Sequence, residues 1–128
     1  MEHLDLALLR LDDLRYASAD KQTKVVCRVS KTYPRANEDE FWFAFHASER
    51  EFLGDATNPY VAYGCGSPKN VILIPLGDYE PLVSNMLSSG GSDEKYWHVK
   101  IFAREGKFFL AQPITGARLN ISRYLLTP

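Results

Sequence analysis

Residues 96–112 read YWHVKIFAREGKFFLAQ, and this stretch decides how the chain is expected to fold. Apolar side chains at Trp97, Val99 and Ile101 alternate with more polar ones, which is the two-residue period of a strand with one buried face. Residues 104–107, Arg-Glu-Gly-Lys, have the composition of a tight turn, and a second apolar run follows them. The stretch therefore predicts an antiparallel hairpin.

Other segments repeat this strand-like pattern on both sides of the hairpin. They are residues 24–33, 41–46, 60–65, 70–76 and 118–121. Turn formers connect 24–33 to 41–46 and 60–65 to 70–76, so each of these pairs is expected to form a hairpin. The pattern as a whole predicts a mainly antiparallel, barrel-like sheet of about seven strands.

Three segments have helical spacing instead. Leu4, Leu8 and Leu11 form one stripe, which predicts an amphipathic helix within residues 1–20. Residues 47–53 predict a short helix capped by Ser48 with Glu51, and residues 76–86 predict another. The fold class expected from these elements is α+β, with the β-rich core in residues 24–126.

The composition is that of one ordinary globular domain covering residues 1–128. The chain has 45% hydrophobic residues, and 15 Lys and Arg stand against 16 Asp and Glu, so any electrostatic function must be local. Cys27 and Cys65 both lie in strand-like runs, and the N-terminus does not resemble a signal peptide, which favours a reducing cytoplasm. The longest purely apolar run, residues 71–75, is too short to cross a membrane.

Charge is segregated along the chain, and this gives the main functional prediction. Five cations, Lys21, Lys24, Arg28, Lys31 and Arg35, occur without an acid between them, and an acidic block follows. Such a basic stretch with an aromatic residue is typical of a surface that contacts phosphates. We therefore predict a nucleic-acid-binding site formed by Lys24, Arg28, Lys31, Tyr33, Arg35 and Lys100, which Arg104 and Lys107 would extend. This function requires no cofactor and no catalytic residue.

A second hypothesis is a magnesium-dependent nuclease. Asp93 followed by Glu105 and Lys107 imitates the acidic residues and lysine of restriction-type nucleases, whose carboxylates hold the ion that activates water. This hypothesis requires Glu105 to lie inside a strand beside another carboxylate, whereas its neighbours predict the tip of a hairpin.

A third hypothesis is a protein-interaction domain. The predicted N-terminal helix has leucines outside its main stripe, so it has apolar side chains available for a second copy of the chain or for a neighbouring domain. In this case the partner would be a protein and not a nucleic acid.

Four segments resemble an uncharacterised bacterial domain type associated with restriction-like and mobile-element proteins. They are FWFAFH (41–46), YGCG (63–66), IPLGD (74–78) and YWHVKIF (96–102). The resemblance spans most of residues 24–126. The order of strands and helices is also similar to that of the DNA-binding pseudobarrels found in restriction enzymes and plant transcription factors. The resemblance implies a DNA-binding accessory module of a bacterial defence or restriction-like system.

Overall fold

The computed structural model describes residues 8–10, 15–66, 70–91 and 94–126 of the chain. The fold is α+β and consists of two sheets, two short helices and a final 3₁₀ turn. The strands are β1 (Leu8–Arg10), β2 (Arg15–Ser18), β3 (Thr23–Ser30), β4 (Tyr33–Pro34), β5 (Asp39–His46), β6 (Asn58–Cys65), β7 (Val71–Pro75), β8 (Ser88–Ser89), β9 (Tyr96–Arg104), β10 (Lys107–Gln112) and β11 (Ala117–Asn120). The helices are α1 (Ala47–Leu53) and α2 (Leu76–Val83), and the 3₁₀ turn is Ser122–Tyr124.

The first sheet has five strands in the order β1-β2-β3-β6-β7. All its neighbours are antiparallel except β3 and β6, which pair in parallel over their full length. The second sheet has the order β11-β10-β9-β5-β4, and β8 pairs with β9 beside this path. The chain returns from the second sheet to the first through α1, and it crosses again through α2.

The main core lies between the two sheets. Phe41, Phe43 and Phe45 alternate along β5 and are almost fully buried against residues of the first sheet. The first sheet and the helices contribute Val26, Leu53, Val61, Tyr63, Ile72, Ile74 and Tyr79 to the same cluster. A smaller cluster of Val25, Ala62 and Leu73 covers the opposite face of the first sheet. Strand β3 thus has a buried apolar residue on each face, Val26 in the main core and Val25 in the smaller cluster.

Two predicted hairpins and the predicted last strand are confirmed. Strands β9 and β10 pair antiparallel around Glu105 and Gly106, whose φ angles of 53° and 79° are those of a type I′ turn. Strands β6 and β7 form the second expected hairpin. The last expected strand is present as β11 and pairs with β10.

The predicted hairpin of residues 24–33 with 41–46 is wrong. Strand β3 lies between β2 and β6 in the first sheet, whereas β5 lies between β4 and β9 in the second. The connection between β3 and β5 forms its own small ribbon, in which Tyr33 pairs with Glu40. Periodicity shows which face of a strand is buried, but it does not show which sheet the strand joins.

The predicted barrel is also wrong, because the two sheets do not close on each other. Among the described residues, no strand of one sheet pairs with a strand of the other, and in two of the three passages between the sheets a helix separates the strands. The described chain also contains more strands than the seven or so expected, because β1, β2, β4 and β8 are short and lack a clear period.

The predicted N-terminal helix is not seen. Leu8–Arg10 is a strand that pairs with Ser18–Tyr16 of β2, and the other residues of the predicted leucine stripe lie outside the described residues. An isolated helix of this length is marginal in water, whereas a strand at a sheet edge gains inter-strand hydrogen bonds.

The two internal helices are confirmed, but the predicted cap of α1 is wrong. Helix α1 begins after His46, and Glu49 Oε1 accepts a hydrogen bond of 2.8 Å from the His46 backbone N–H. Glu49 therefore occupies the third helical position of the capping arrangement, in place of Glu51. No helix in the described ranges is long and apolar enough to span a membrane.

A buried pair of tyrosines gives a test of the core. The hydroxyls of Tyr63 and Tyr79 are 2.7 Å apart, and both residues are almost fully buried. We expect Tyr63→Phe to lower the free energy of unfolding by about 1–3 kcal/mol, because it leaves the Tyr79 hydroxyl buried without its partner. The double variant with Tyr79→Phe should cost no more than the larger single change in urea unfolding. Additive losses would contradict this account of the pair.

Candidate nucleic-acid interface

Lys24 and Arg28 share one face of β3, as the alternation predicts, but this face is turned toward α1. The Lys24 ammonium donates to Asp55 Oδ1 at 2.6 Å and to the Phe52 carbonyl at 3.2 Å, and it lies 4.7 Å from the centre of the Phe52 ring. Its side chain is only 11% exposed. Lys24 thus holds the end of α1 against the first sheet.

Arg28 holds the beginning of the same helix. Its Nε and Nη2 donate to Glu49 Oε2 at 3.2 and 2.8 Å. The Glu49 side chain is 2% exposed and that of Arg28 is 24% exposed. Because Glu49 also accepts from the His46 N–H, one carboxylate joins β3, the end of β5 and α1.

Arg35 and Lys100 meet at a different carboxylate. Arg35 Nε donates to Glu40 Oε1 at 2.9 Å, and Lys100 Nζ lies 3.8 Å from Glu40 Oε2. About half of each cationic side chain is exposed. Two positive charges therefore share one negative charge on the solvent side of the second sheet.

Lys31 and Tyr33 lie on an open groove between the end of β3 and β5. The groove has a volume of about 290 Å³, and its lining includes Arg28, Val29, Trp42 and the two residues just named. Val29, Tyr33 and Trp42 are exposed by 62%, 42% and 39%, respectively. In the described part of the chain, the Lys31 side chain has no ion-pair partner. The groove thus combines an uncommitted cation with exposed apolar and aromatic surface.

The outer face of the second sheet carries a row of four rings, which we call the aromatic row: His46, Tyr96, His98 and Trp42. The centroids of successive rings are 5.4, 5.1 and 5.8 Å apart. The four side chains share a face because they occupy alternate positions of β5 and β9, where His46 pairs with Tyr96 and Ala44 with His98. Trp42 lies at the end of the row that borders the groove.

Hydrogen bonds fix the Trp42 end of the aromatic row. Trp42 Nε1 donates to His98 Nδ1 at 3.3 Å, and His98 Nε2 is 2.8 Å from Ser89 Oγ. Because Nδ1 accepts, the proton of a neutral His98 lies on Nε2, which donates to the serine. The Trp42 backbone N–H donates to Ser30 Oγ at 3.0 Å, so both ends of this residue are held.

Beyond Lys100 the same sheet face is covered. The Arg118 guanidinium lies 3.8 Å from the centre of the Phe102 ring and pairs with Glu38 through both terminal nitrogens, at 2.8 and 3.2 Å. These hydrogen bonds lower the pKa of the Glu38 carboxyl. The aromatic row is less covered, since Trp42 is exposed and His46, Tyr96 and His98 are half-buried.

The structure does not place Glu105 of the nuclease hypothesis inside a strand. Glu105 lies in the two-residue turn between β9 and β10, and Lys107 is the first residue of β10. Asp93 lies outside the described residues. In the ranges that the structure describes, no three His, Cys, Asp or Glu side chains form a group that could hold a metal ion.

Sequence reasoning missed the aromatic row, although its signal was present. The segments 41–46 and 96–102 both alternate, but each has aromatic residues on its two faces, so alternation did not show which ring of each pair is exposed. The pairing of Trp42 with Lys100 shows that Trp42 lies on the outer face. Residues opposite each other in a ladder share a face, and Lys100 is exposed.

The different settings of Glu49 and Asp55 give a test of how β3 holds α1. Glu49→Ala should lower the free energy of unfolding by about 3–5 kcal/mol, since it leaves the Arg28 charge largely buried and unpaired. Asp55→Ala should cost much less, because the Asp55 side chain is 78% exposed. Chemical denaturation of the two variants measures the difference, and equal losses would contradict the roles assigned here.

The ionisation of Asp55 makes the stability of the protein depend on pH, and the direction of this dependence is known. The hydrogen bond from Lys24 lowers the pKa of this carboxyl below its usual value of 3.8. Its contribution to stability is therefore present above pH 3.8 and is lost as the pH falls through the lowered value. Asp55→Asn should remove this contribution at neutral pH and leave stability at lower pH nearly unchanged.

Comparison with known proteins finds no matching family model, no significantly similar curated protein and no significantly similar solved structure.

Proposed function

We propose that this chain is a non-catalytic nucleic-acid-binding module whose contact surface is the outer face of the second sheet. The observation that carries the proposal is the aromatic row, in which each ring contacts the next on the outer face of the sheet and Trp42 is exposed. Aromatic side chains on such a face are the usual platforms on which nucleic-acid bases stack.

Cations stand where a phosphate backbone would pass beside such a platform. Lys100 lies directly opposite Trp42 in the ladder, and Lys31 lies in the groove on the other side of the same tryptophan. Arg35 and Lys100 together exceed the charge of Glu40, and Lys31 adds an uncompensated charge. This supports a local positive potential on a chain whose net charge is −1.

Within this proposal the six predicted residues divide into two groups. Lys31, Tyr33, Arg35 and Lys100 contact the ligand, because their side chains are exposed beside the aromatic row or the groove. Lys24 and Arg28 position α1 and the groove wall through Asp55 and Glu49. The preference for DNA, and for a bacterial restriction-like setting, rests on the resemblance of the four sequence segments.

Salt-dependent binding tests the proposal. A fluorescence-anisotropy titration of labelled DNA should show affinity that falls with salt, because bound cations release counterions from the phosphates. Lys31→Ala and Lys100→Ala should each weaken binding. Each should also make the slope of log affinity against log salt shallower by about 0.7–0.9, the value for one phosphate.

Lys21→Ala is the matched control. Lys21 is an exposed cation of the same basic stretch, but it lies before the start of β3. Arg28, the first residue of β3 that lines the groove, is roughly 17 Å from Thr23 at about 3.3 Å per strand residue. It should leave affinity and slope unchanged. Absence of binding at low salt, or an equal effect of all three variants, would overturn the proposal.

A further inference from the structure

We infer that the groove beside Trp42 binds one unpaired nucleobase, so that the module prefers single-stranded or locally opened nucleic acid to intact duplex. This inference rests on the proposed function and adds the class of ligand. The groove lies beside the aromatic row. It brings together Lys31 from the loop after β3, Tyr33 from β4 and Trp42 from β5.

The size of the groove favours a single base. Its volume of about 290 Å³ lies at the lower limit of pockets that enclose small organic ligands, about 300–1,000 Å³. A base inside a duplex is stacked and paired, so its faces are not accessible to protein rings. Only an unpaired base offers both a face for stacking and an edge that enters a pocket.

The walls of the groove suit stacking. Tyr33 and Trp42 line it with 42% and 39% of their surface exposed, although aromatic residues of this chain are otherwise mostly buried in the core. Trp42 is held through its indole by His98 and through its backbone by Ser30, so little freedom remains to be lost when a base binds.

The polar groups of the groove favour a phosphate over a specific base edge. Lys31 is free to contact the phosphate of the bound nucleotide, whereas the Arg28 guanidinium is engaged by Glu49. The Ser30 hydroxyl is also engaged, because it donates to the Lys31 carbonyl and accepts from the Trp42 N–H. We therefore expect stacking with little preference among the four bases.

An extended peptide fits this groove less well. A peptide strand would add to the free edge of β5 by binding its outward N–H groups. Two of these groups, those of Trp42 and His46, already donate to the Ser30 hydroxyl and the Glu49 carboxylate. Side chains thus already bind much of the hydrogen-bonding edge of β5. This favours a nucleobase over a peptide as the occupant of the groove.

The test compares three labelled probes of equal length with the full chain: a single-stranded oligonucleotide, its duplex, and an oligonucleotide made of abasic nucleotides. The abasic probe keeps the phosphates and removes every ring. We expect the wild type to bind the single strand most tightly, and the abasic probe at least fivefold more weakly. Trp42→Ala should weaken single-strand binding by roughly 5- to 150-fold, the range for loss of one stacked base, whereas Trp42→Phe should retain most of it.

Two outcomes separate this inference from the proposed function. If the wild type binds the abasic probe as well as the normal single strand, or prefers duplex, the groove does not take an unpaired base, but the nucleic-acid-binding function stands. If none of the probes binds at low salt, the proposed function fails as well. Circular dichroism of both Trp42 variants checks that they fold, and the abasic comparison on the wild type does not depend on them.

Discussion

The carboxylate of Glu49 is the single group on which most of this arrangement depends. One oxygen accepts the backbone N–H of His46 and starts α1, and the other accepts two nitrogens of Arg28 from β3. The first sheet, the last residue of β5 in the second sheet and the crossing helix are thus joined at one nearly buried point. A buried ion pair adds little net stability compared with apolar packing, but its geometry specifies one arrangement, and removing one partner is costly.

This constraint decides which surface is left for a ligand. Because Lys24 and Arg28 point toward α1, strand β3 has little charge to offer to solvent. The less covered surface is instead the outer face of the second sheet, where the aromatic row extends from His46 and Tyr96 to Trp42 beside the groove. The covered region at Phe102 begins beyond Lys100. The nearly neutral charge of the chain is consistent with the proposed mode of binding, which relies on ring stacking with a few cations at the edge of the surface.

The sequence predicted well what local chemistry determines. The β9–β10 hairpin, the β6–β7 hairpin and the two short helices follow from alternation, from helical spacing and from Glu105-Gly106, which suits a two-residue turn. What it could not predict depends on distant contacts. The separation of β3 from β5 into different sheets leaves both periodic patterns unchanged, so no local signal distinguishes it from a hairpin.

The same limit applies to the site. Alternation correctly placed Lys24 and Arg28 on one face, but charged faces are usually solvated, and only the position of α1 shows that this one is covered. A signal was present in the acidic block that follows the basic stretch, since Glu49 and Asp55 belong to it and are the partners of these two cations. Opposite charge blocks in one chain also indicate internal pairing, and not only an external ligand.

The proposed contact surface for nucleic acid is the outer face of the second sheet, and Trp42 in particular. The chain has two tryptophans, Trp42 at this face and Trp97 in the core, so a ¹H–¹⁵N correlation spectrum offers one indole signal for each. Titration with a short single-stranded oligonucleotide should shift the Trp42 indole signal strongly and leave that of Trp97 nearly in place. A saturating titration that moves neither signal, or that moves only that of Trp97, would contradict the account.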